Sequence, residues 1–201
     1  MTPNMSGVTR GYGLLEGVLA RARARKANAL IPDALRSGRI LDVGCGQTPV
    51  FLLGTRFTEK YGVERAPNPV NDAGINLIAF DIARAPAFPF KTDSFDVVTM
   101  LAVLEHIGPS RLVAVLDEVY RVLKARGVFV LTTPAGWTSF LLRTMAKTRL
   151  VSAVEIEEHK HSYTQQEIAD LFAKSDFDIS HLRLGYFEFF MNNCGVVRKG
   201  R

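Results

Sequence analysis

The stretch that most constrains what this chain can fold into is Arg39-Ile40-Leu41-Asp42-Val43-Gly44-Cys45-Gly46-Gln47-Thr48. Ile40, Leu41 and Val43 make a short apolar run suited to a strand buried on both faces of a parallel sheet, with Asp42 near its carboxyl end. Gly44 and Gly46 then let the chain turn sharply and let a ligand approach bare backbone. A parallel strand running into a glycine-rich turn is where doubly wound sheets hold nucleotide-like cofactors. Alone, a G-x-G is weak evidence. Its weight depends on the residues at the ends of the later strands.

Those strands come in order. Tyr61-Gly62-Val63-Glu64 ends the second, Ile75 to Phe80 is the third and closes on Asp81, and Phe95 to Leu101 is the fourth. Ala66 to Gly74, with Pro67 and Pro69, leaves little room for the helix that a crossover between the second and third strands would normally contain. Pro49 to Gly54 allows only a short helix, with Pro49 acceptable in its first turn. Gly108 stops a short turn through Glu105 and His106, and Pro109 opens a helix with an apolar stripe at Leu112, Val115, Leu116, Val119, Val122 and Leu123. Asp117 and Arg121 are expected to pair across one turn of that helix, which Gly127 ends. Val128 to Thr132 is the fifth strand, running to Pro134.

The ends of the chain read less regularly. Residues 1–11 are a loose polar arm, and a helical pattern runs from Tyr12 to about Leu30 inside an N-terminal helical region, 12–36. From Ala135 to Val154 the pattern is again helical, and 135–162 is the expected substrate lid, a reading that plain core packing of Phe140, Leu141, Leu142 and Met145 matches equally well. Thr164 with Glu167 forms a capping box before Ile168, Leu171 and Phe172. Asp178 to Gly185 and Tyr186 to Lys199 are two closing strands. Alternation of strands and helices over 12–201 predicts one α/β domain.

Composition narrows the class. No apolar run approaches the ~20 residues that span a bilayer, and the N-terminus lacks the pattern of a signal peptide. Two cysteines, Cys45 and Cys194, imply neither a disulfide framework nor a zinc site, so a cytoplasmic setting and no metal are expected. The net charge of +5 owes much to Arg21, Arg23, Arg25 and Lys26 and to the tail Arg198, Lys199 and Arg201. Nucleic-acid binding would interleave aromatics with such a cluster, and none stand around Arg21, so a solvated basic helix face is the better reading.

Asp42 with Gly44 and Gly46, then Glu64, then Asp81, then Met100-Leu101 all fall at carboxyl ends of successive parallel strands, on the one edge where ligands bind. Backbone at Gly44 to Gly46 can approach a carboxylate and a ribose, Glu64 suits two ribose hydroxyls, and Asp81 can accept from an adenine amino group. Singly, each could be a buried acid or a turn cap. As an ordered set they predict an adenosine cofactor.

With those residues in hand, the chain resembles the class I S-adenosylmethionine-dependent methyltransferase family. Ile40 to Gly46 is similar to the family's first motif. Phe95-Asp96-Val97-Val98 with Leu104-Glu105-His106-Ile107 resembles its fourth, and Leu123-Lys124 followed by Gly127 and the fifth strand resembles the segment after it. His161-Ser162-Tyr163-Thr164 and then Phe177 resemble the late helix and the reversed last hairpin. The resemblance covers about residues 12–199. It implies a Rossmann-like fold with a mostly parallel seven-stranded sheet, an antiparallel last strand and helices on both faces. It also implies S-adenosyl-L-methionine as cofactor and S-adenosyl-L-homocysteine as product. By the same resemblance Asp42, Gly44, Cys45 and Gly46 line the methionine end, Glu64 holds the ribose, Asp81 with Ile82 flanks the adenine, and Leu101 lies near the sulfonium. The chain departs from the pattern at Thr48, where a third glycine is usual, and in the deleted helix.

Methyl transfer from a sulfonium is an in-line displacement helped chiefly by holding the acceptor at attack distance, an effect worth roughly 7–11 kcal/mol. A hydroxyl acceptor also benefits from a base. Candidate bases are His106, His159, His161 and Tyr163, with His159 and His161 flanking Lys160 in a charged loop. His106 beside Gly108 could equally satisfy carbonyls at a helix end. The expected activity is methyl transfer to a small-molecule, sugar or lipid-linked acceptor. Two alternatives are a cofactor-binding protein without catalysis and an RNA methyltransferase. Neither the acceptor nor the oligomeric state is legible in the residues.

Overall fold

A computed structural model describes residues 16–70, 74–138 and 162–201. Among these, seven strands form one sheet: β1 (Arg39–Val43), β2 (Glu59–Glu64), β3 (Ile75–Ala79), β4 (Phe95–Leu101), β5 (Leu123–Pro134), β6 (Leu182–Phe187) and β7 (Asn192–Arg198). Their spatial order is β3-β2-β1-β4-β5-β7-β6. The pairs from β3 through β5 are parallel, and β7 runs antiparallel to both β5 and β6. This is the mostly parallel doubly wound sheet expected from the sequence, with the single reversed strand inserted next to the edge. The order reverses between β1 and β4, and doubly wound sheets bind ligands at the carboxyl ends of the strands beside such a switch point.

The strands alternate between two cores because successive side chains of a strand leave on opposite faces. Leu41, Val43, Val98, Met100, Phe129 and Leu131 join one core. Ile40, Val97, Val128 and Val130 join the other. The first core is covered by α3 (Pro109–Val122) and α4 (Gln165–Phe172). The predicted stripe holds: Leu112, Val115, Leu116, Val119 and Val122 are all buried. At the start of α4 both halves of the Thr164–Glu167 capping box form. The second core is covered by α1 (Glu16–Leu30) and the single turn α2 (Val50–Gly54). Ala27 and Ile31 anchor α1 beside Ile40, Val97 and Val128, near the starts of the strands. With a rise of about 1.5 Å per residue, its N-terminal half reaches toward the ligand edge.

Three expectations need correction. α3 ends at Val122, not Gly127, because Leu123 already pairs with Phe95; the fifth strand therefore begins earlier than the apolar run Val128 to Thr132 indicated. Arg121 pairs with Glu118 at 2.7 Å rather than with Asp117, whose carboxylate accepts the Asp176 N–H at 2.9 Å. Residues 179–181 form a 3₁₀ turn, so the penultimate strand begins at Leu182 instead of Asp178, and it runs on to Phe187, so the last strand begins at Asn192 instead of Tyr186. Gly136–Thr138 form a 3₁₀ turn, and the rest of the expected lid, 139–161, lies outside the described residues. Among the described residues between β2 and β3 there is no helix, as the prolines predict.

Candidate functional site

The turn after β1 is shaped from behind by Gly62, Val63 and Val103, in roles that sequence reading did not foresee. Gly44 and Cys45 both donate their N–H to Val63 O, at 2.8 and 3.2 Å, which ties the turn to β2. Cys45 then sends its thiol against Gly62, where an added Cβ would lie 2.8 Å from Sγ. Gly44 has φ +72, and a Cβ there would meet Val103 Cγ2 at 2.6 Å. Gly46, at φ +76, differs: a Cβ would find nothing nearer than Thr48 O at 3.7 Å, so this glycine borders open space at the crevice. The loop after β2 closes over the turn, with Asn68 N–H donating to Gln47 O at 2.9 Å.

Asp42 is almost fully buried, and Thr99 of β4 donates its hydroxyl to Asp42 Oδ1 at 2.6 Å. Burial pushes the carboxyl up to about 7, the negative charge of Glu64 adds to the shift, and the Thr99 bond opposes it. Asp42 and Glu64 therefore share one electrostatic environment at the ends of β1 and β2. Glu64 Oε1 accepts the N–H of Arg65 at 2.9 Å, which fixes the carboxylate at the strand end. Cys45 is raised by burial and by both carboxylates, so its thiol is inert at neutral pH.

Further along the edge, Asp81 Oδ1 accepts the Ala83 N–H at 3.0 Å, and Arg84 Nε lies 3.7 Å from its other oxygen. Asp81 thus caps the turn after β3 while standing at the crevice end of that strand. Ile82 is half-buried against the first core. Leu101 ends β4 opposite Thr132, and Ala102 follows in the left-handed region at φ +56, a strained backbone at the point where the strand order reverses. Thr132 Oγ1 and Asn193 Oδ1, at the ends of β5 and β7 on this same edge, are buried with no hydrogen-bond partner among the described residues.

The candidate bases are distributed unequally. His106 closes the 3₁₀ turn Leu104–His106, and its backbone N–H donates to Val103 O at 3.0 Å. Tyr163 is buried in the first core, and its hydroxyl is pushed up to about 12 by burial, then by Glu105 and Glu167. His161 and His159 lie outside the described residues. Glu105, which sequence reading left without a role, is 1% exposed and accepts the Thr133 hydroxyl at 3.0 Å. Its sequence signal is a carboxylate directly after Leu104 in Leu104-Glu105-His106-Ile107.

A cavity of about 380 Å³ opens at the opposite edge of the sheet, beside Gly38, Arg39, Glu59, Asp96 and Lys124. Its charges serve the fold: Asp96 Oδ2 accepts both Arg39 N–H and Lys124 Nζ at 2.8 Å, and Arg39 pairs with Glu59 at 3.1 Å. The crevice at the carboxyl ends is the candidate site.

Residues 16–182 match a family model described as a methyltransferase domain. An uncharacterized methyltransferase of Synechocystis sp. is 30% identical over 106 residues, which is 49% of this chain and 50% of that protein. The 27-O-demethylrifamycin SV methyltransferase of Amycolatopsis mediterranei is 32% identical over 165 residues, 73% of this chain and 58% of that protein. The chain thus spans about half the length of these curated relatives. Among solved structures, an S-adenosylmethionine-dependent methyltransferase from Mesorhizobium loti superposes with a TM-score of 0.65 at 18% identity, covering 90% of this chain and all of that one. One from Methanosarcina mazei gives 0.59 at 17%, covering 86% and 96%. These structural likenesses establish the fold. The chain belongs to the methyltransferase-domain family.

Proposed function

We propose that this member of the methyltransferase-domain family binds S-adenosyl-L-methionine at the carboxyl ends of β1 to β4 and transfers its methyl group to a small acceptor. The observation that carries the reading is the open space at Gly46 beside a buried carboxyl, Asp42, that is coupled to a second, Glu64. Bare backbone, clustered acids and strand-end acceptors suit a ligand with cationic centres and ribose hydroxyls. In this reading Asp42, Gly44 and Gly46 face the methionine portion, Glu64 holds the ribose, and Asp81 with Ile82 borders the adenine. Cys45 contributes through its backbone, since its side chain packs against Gly62. The sulfonium supplies a methyl group open to in-line displacement.

The chain's own contribution is placement. Leu101 and the strained Ala102 turn the wall of the crevice at the switch point, and Val103 braces the glycine turn. Of the candidate bases, His106 takes the role if the acceptor is a hydroxyl, with His161 the further candidate. The Tyr163 hydroxyl, held up to about 12, is a poor base at neutral pH. That same observation favours, as the second reading, cofactor binding without transfer. The relative named for 27-O-demethylrifamycin SV lends weight to a small-molecule acceptor.

The test is calorimetric titration with S-adenosyl-L-homocysteine. One equivalent should bind to the wild-type chain and none to Gly46→Val, whose circular dichroism should stay near wild type. Absence of binding to wild type would overturn the proposal. Release of labelled methyl into an extracted metabolite would remove the second reading.

A further inference from the structure

The hairpin between β6 and β7 carries a feature that the cofactor site does not use. Its tip is Glu188 to Met191, and Phe189 and Phe190 are 91% and 67% exposed there. Trp137 and Tyr186 stand beside them, also exposed. The four form one patch: Trp137 Nε1 donates to Phe190 O at 3.1 Å, and the Tyr186 and Phe190 rings meet edge-on at 5.7 Å.

The backbone holds the tip in an unusual form. Glu188, Phe189 and Phe190 are consecutive non-glycine residues with φ of +51, +54 and +65. Bulky residues visit that region only when the surroundings impose it. Here Met191 N–H donates to Glu188 O at 3.0 Å, Ala135 N–H to Met191 O at 2.9 Å, and Asn192 Nδ2 to Glu188 Oε2 at 2.6 Å. The result of this fixed, strained turn is two phenyl rings directed into water. Water is a poor medium for them, and a protruding apolar tip of this kind marks an interaction surface.

The chemistry around the tip identifies the surface. Helix α1 carries Arg21, Arg23, Arg25 and Lys26 against one acid, Glu16. Ala24 of this helix packs against the same core as Val196 of β7, and the positive charge of Arg23 opposes the burial that raises the Glu188 carboxyl, so the basic helix flanks the hairpin. Two phenyl rings at the apex, a tryptophan and a tyrosine set back, and a basic flank form the pattern that inserts at the headgroup boundary of a negatively charged bilayer. A second copy of this chain would bring the same positive field against it.

We propose that the protein docks on an anionic lipid surface through the Phe189–Phe190 tip, with the basic residues of α1 supplying the electrostatic part of the attraction. The tip shares the sheet edge that holds Gly46 and Leu101 and stands two to three strand spacings, roughly 10–14 Å, from β4. Docking therefore turns the crevice toward the bilayer, a consequence for acceptor access that rests on the function proposed above.

The experiment is co-sedimentation of the full chain with vesicles of phosphatidylcholine alone or mixed with phosphatidylserine. The wild type should partition onto the mixed vesicles, at least tenfold more weakly onto phosphatidylcholine alone, and progressively less as salt shortens the screening length. Phe189→Asn with Phe190→Asn suits the left-handed backbone and should lose tenfold or more in partitioning. Arg21→Gln with Arg25→Gln, both exposed, should lose binding to the mixed vesicles only. No partitioning of the wild type, or wild-type partitioning by the phenylalanine variant, overturns the proposal. So does a wild-type dimer in sedimentation velocity that the phenylalanine variant abolishes without any vesicle binding. Titration of the same variants with S-adenosyl-L-homocysteine keeps the two proposals separate, since vesicle binding does not require a cofactor and should persist if that titration fails.

Discussion

Thr99 on β4 donates its hydroxyl to Asp42 on β1 across 2.6 Å, and this bond joins the two strands between which the sheet order reverses. The pair is buried, so the hydrogen bond stabilises the carboxylate without offsetting its full desolvation. The acid remains raised, to about 7. Under the proposed function, a cationic group of the cofactor placed nearby relieves this burial of negative charge.

The pH dependence arises from that balance. A carboxyl whose folded value lies above its unfolded 3.8 binds its proton more tightly in the folded chain. Its contribution to stability is complete below that value and is lost as pH rises through about 7. Asp42→Asn keeps an acceptor for Thr99 and has no charge to bury. Ligand-free melts of the variant and the wild type should nearly coincide at pH 4 and separate toward pH 8, with the variant higher. A difference that stays constant across the range would show that Asp42 titrates normally.

The two glycines should separate fold from ligand. Gly44→Ala meets Val103 at 2.6 Å in a left-handed conformation and should cost about 2–4 kcal/mol of stability. Gly46→Ala carries only the conformational penalty, about 1–2 kcal/mol, yet places a methyl in the crevice. Its main effect should be on S-adenosyl-L-homocysteine affinity. Chemical denaturation and calorimetry on both variants check this; equal effects on stability would contradict the geometry.

Glu64→Ala should weaken the same ligand by one to two decades, roughly 1.4–2.8 kcal/mol, by removing charge-assisted bonds to the ribose. Glu64→Gln should weaken it less. Because Glu64 adds to the shift on Asp42, either variant should also move the ligand-free stability profile toward lower pH. Affinity that survives both changes would leave Glu64 as a mere strand terminus.

Glu105 and Thr133 form a buried pair at 3.0 Å. Glu105→Ala strands the Thr133 hydroxyl and opens a cavity, so a loss of about 2–4 kcal/mol is expected. Glu105→Gln keeps an acceptor and should lose about half as much. A double-mutant cycle with Thr133→Val should return a coupling of about 0.5–3 kcal/mol, and a value near zero would show that the two groups are independent.

Local patterns in the sequence were enough to place most elements and the turn itself. Ile40 to Gly46 dictates a buried strand and a reversal whatever surrounds it, because apolar β-branched residues and unsubstituted Cα atoms act through nearest neighbours. The same holds for the Phe95 to Leu101 strand, the α3 stripe and the Thr164 cap. The strand-end positions of Asp42, Glu64 and Asp81 were legible for that reason too. Local patterns misjudged the junction at Leu123, where pairing with Phe95 extends the strand against the helical signal.

Only the tertiary structure decided which residues act on one another. Gly62 admits the Cys45 thiol, Val103 braces Gly44, Thr99 meets Asp42, and Thr133 meets Glu105. The aromatic tip at Phe189 and Phe190 belongs with them, since its exposure comes from hydrogen bonds to Ala135 and Trp137 on another part of the chain. Each of these relations joins positions far apart in sequence, and each depends on a strand order, β3-β2-β1-β4-β5-β7-β6, that no local spacing encodes. Periodicity and steric preference operate over a few residues. Charge coupling, desolvation and exposure are properties of the folded arrangement, and for that reason the sequence alone pointed to the candidate site while the fold determined its electrostatics.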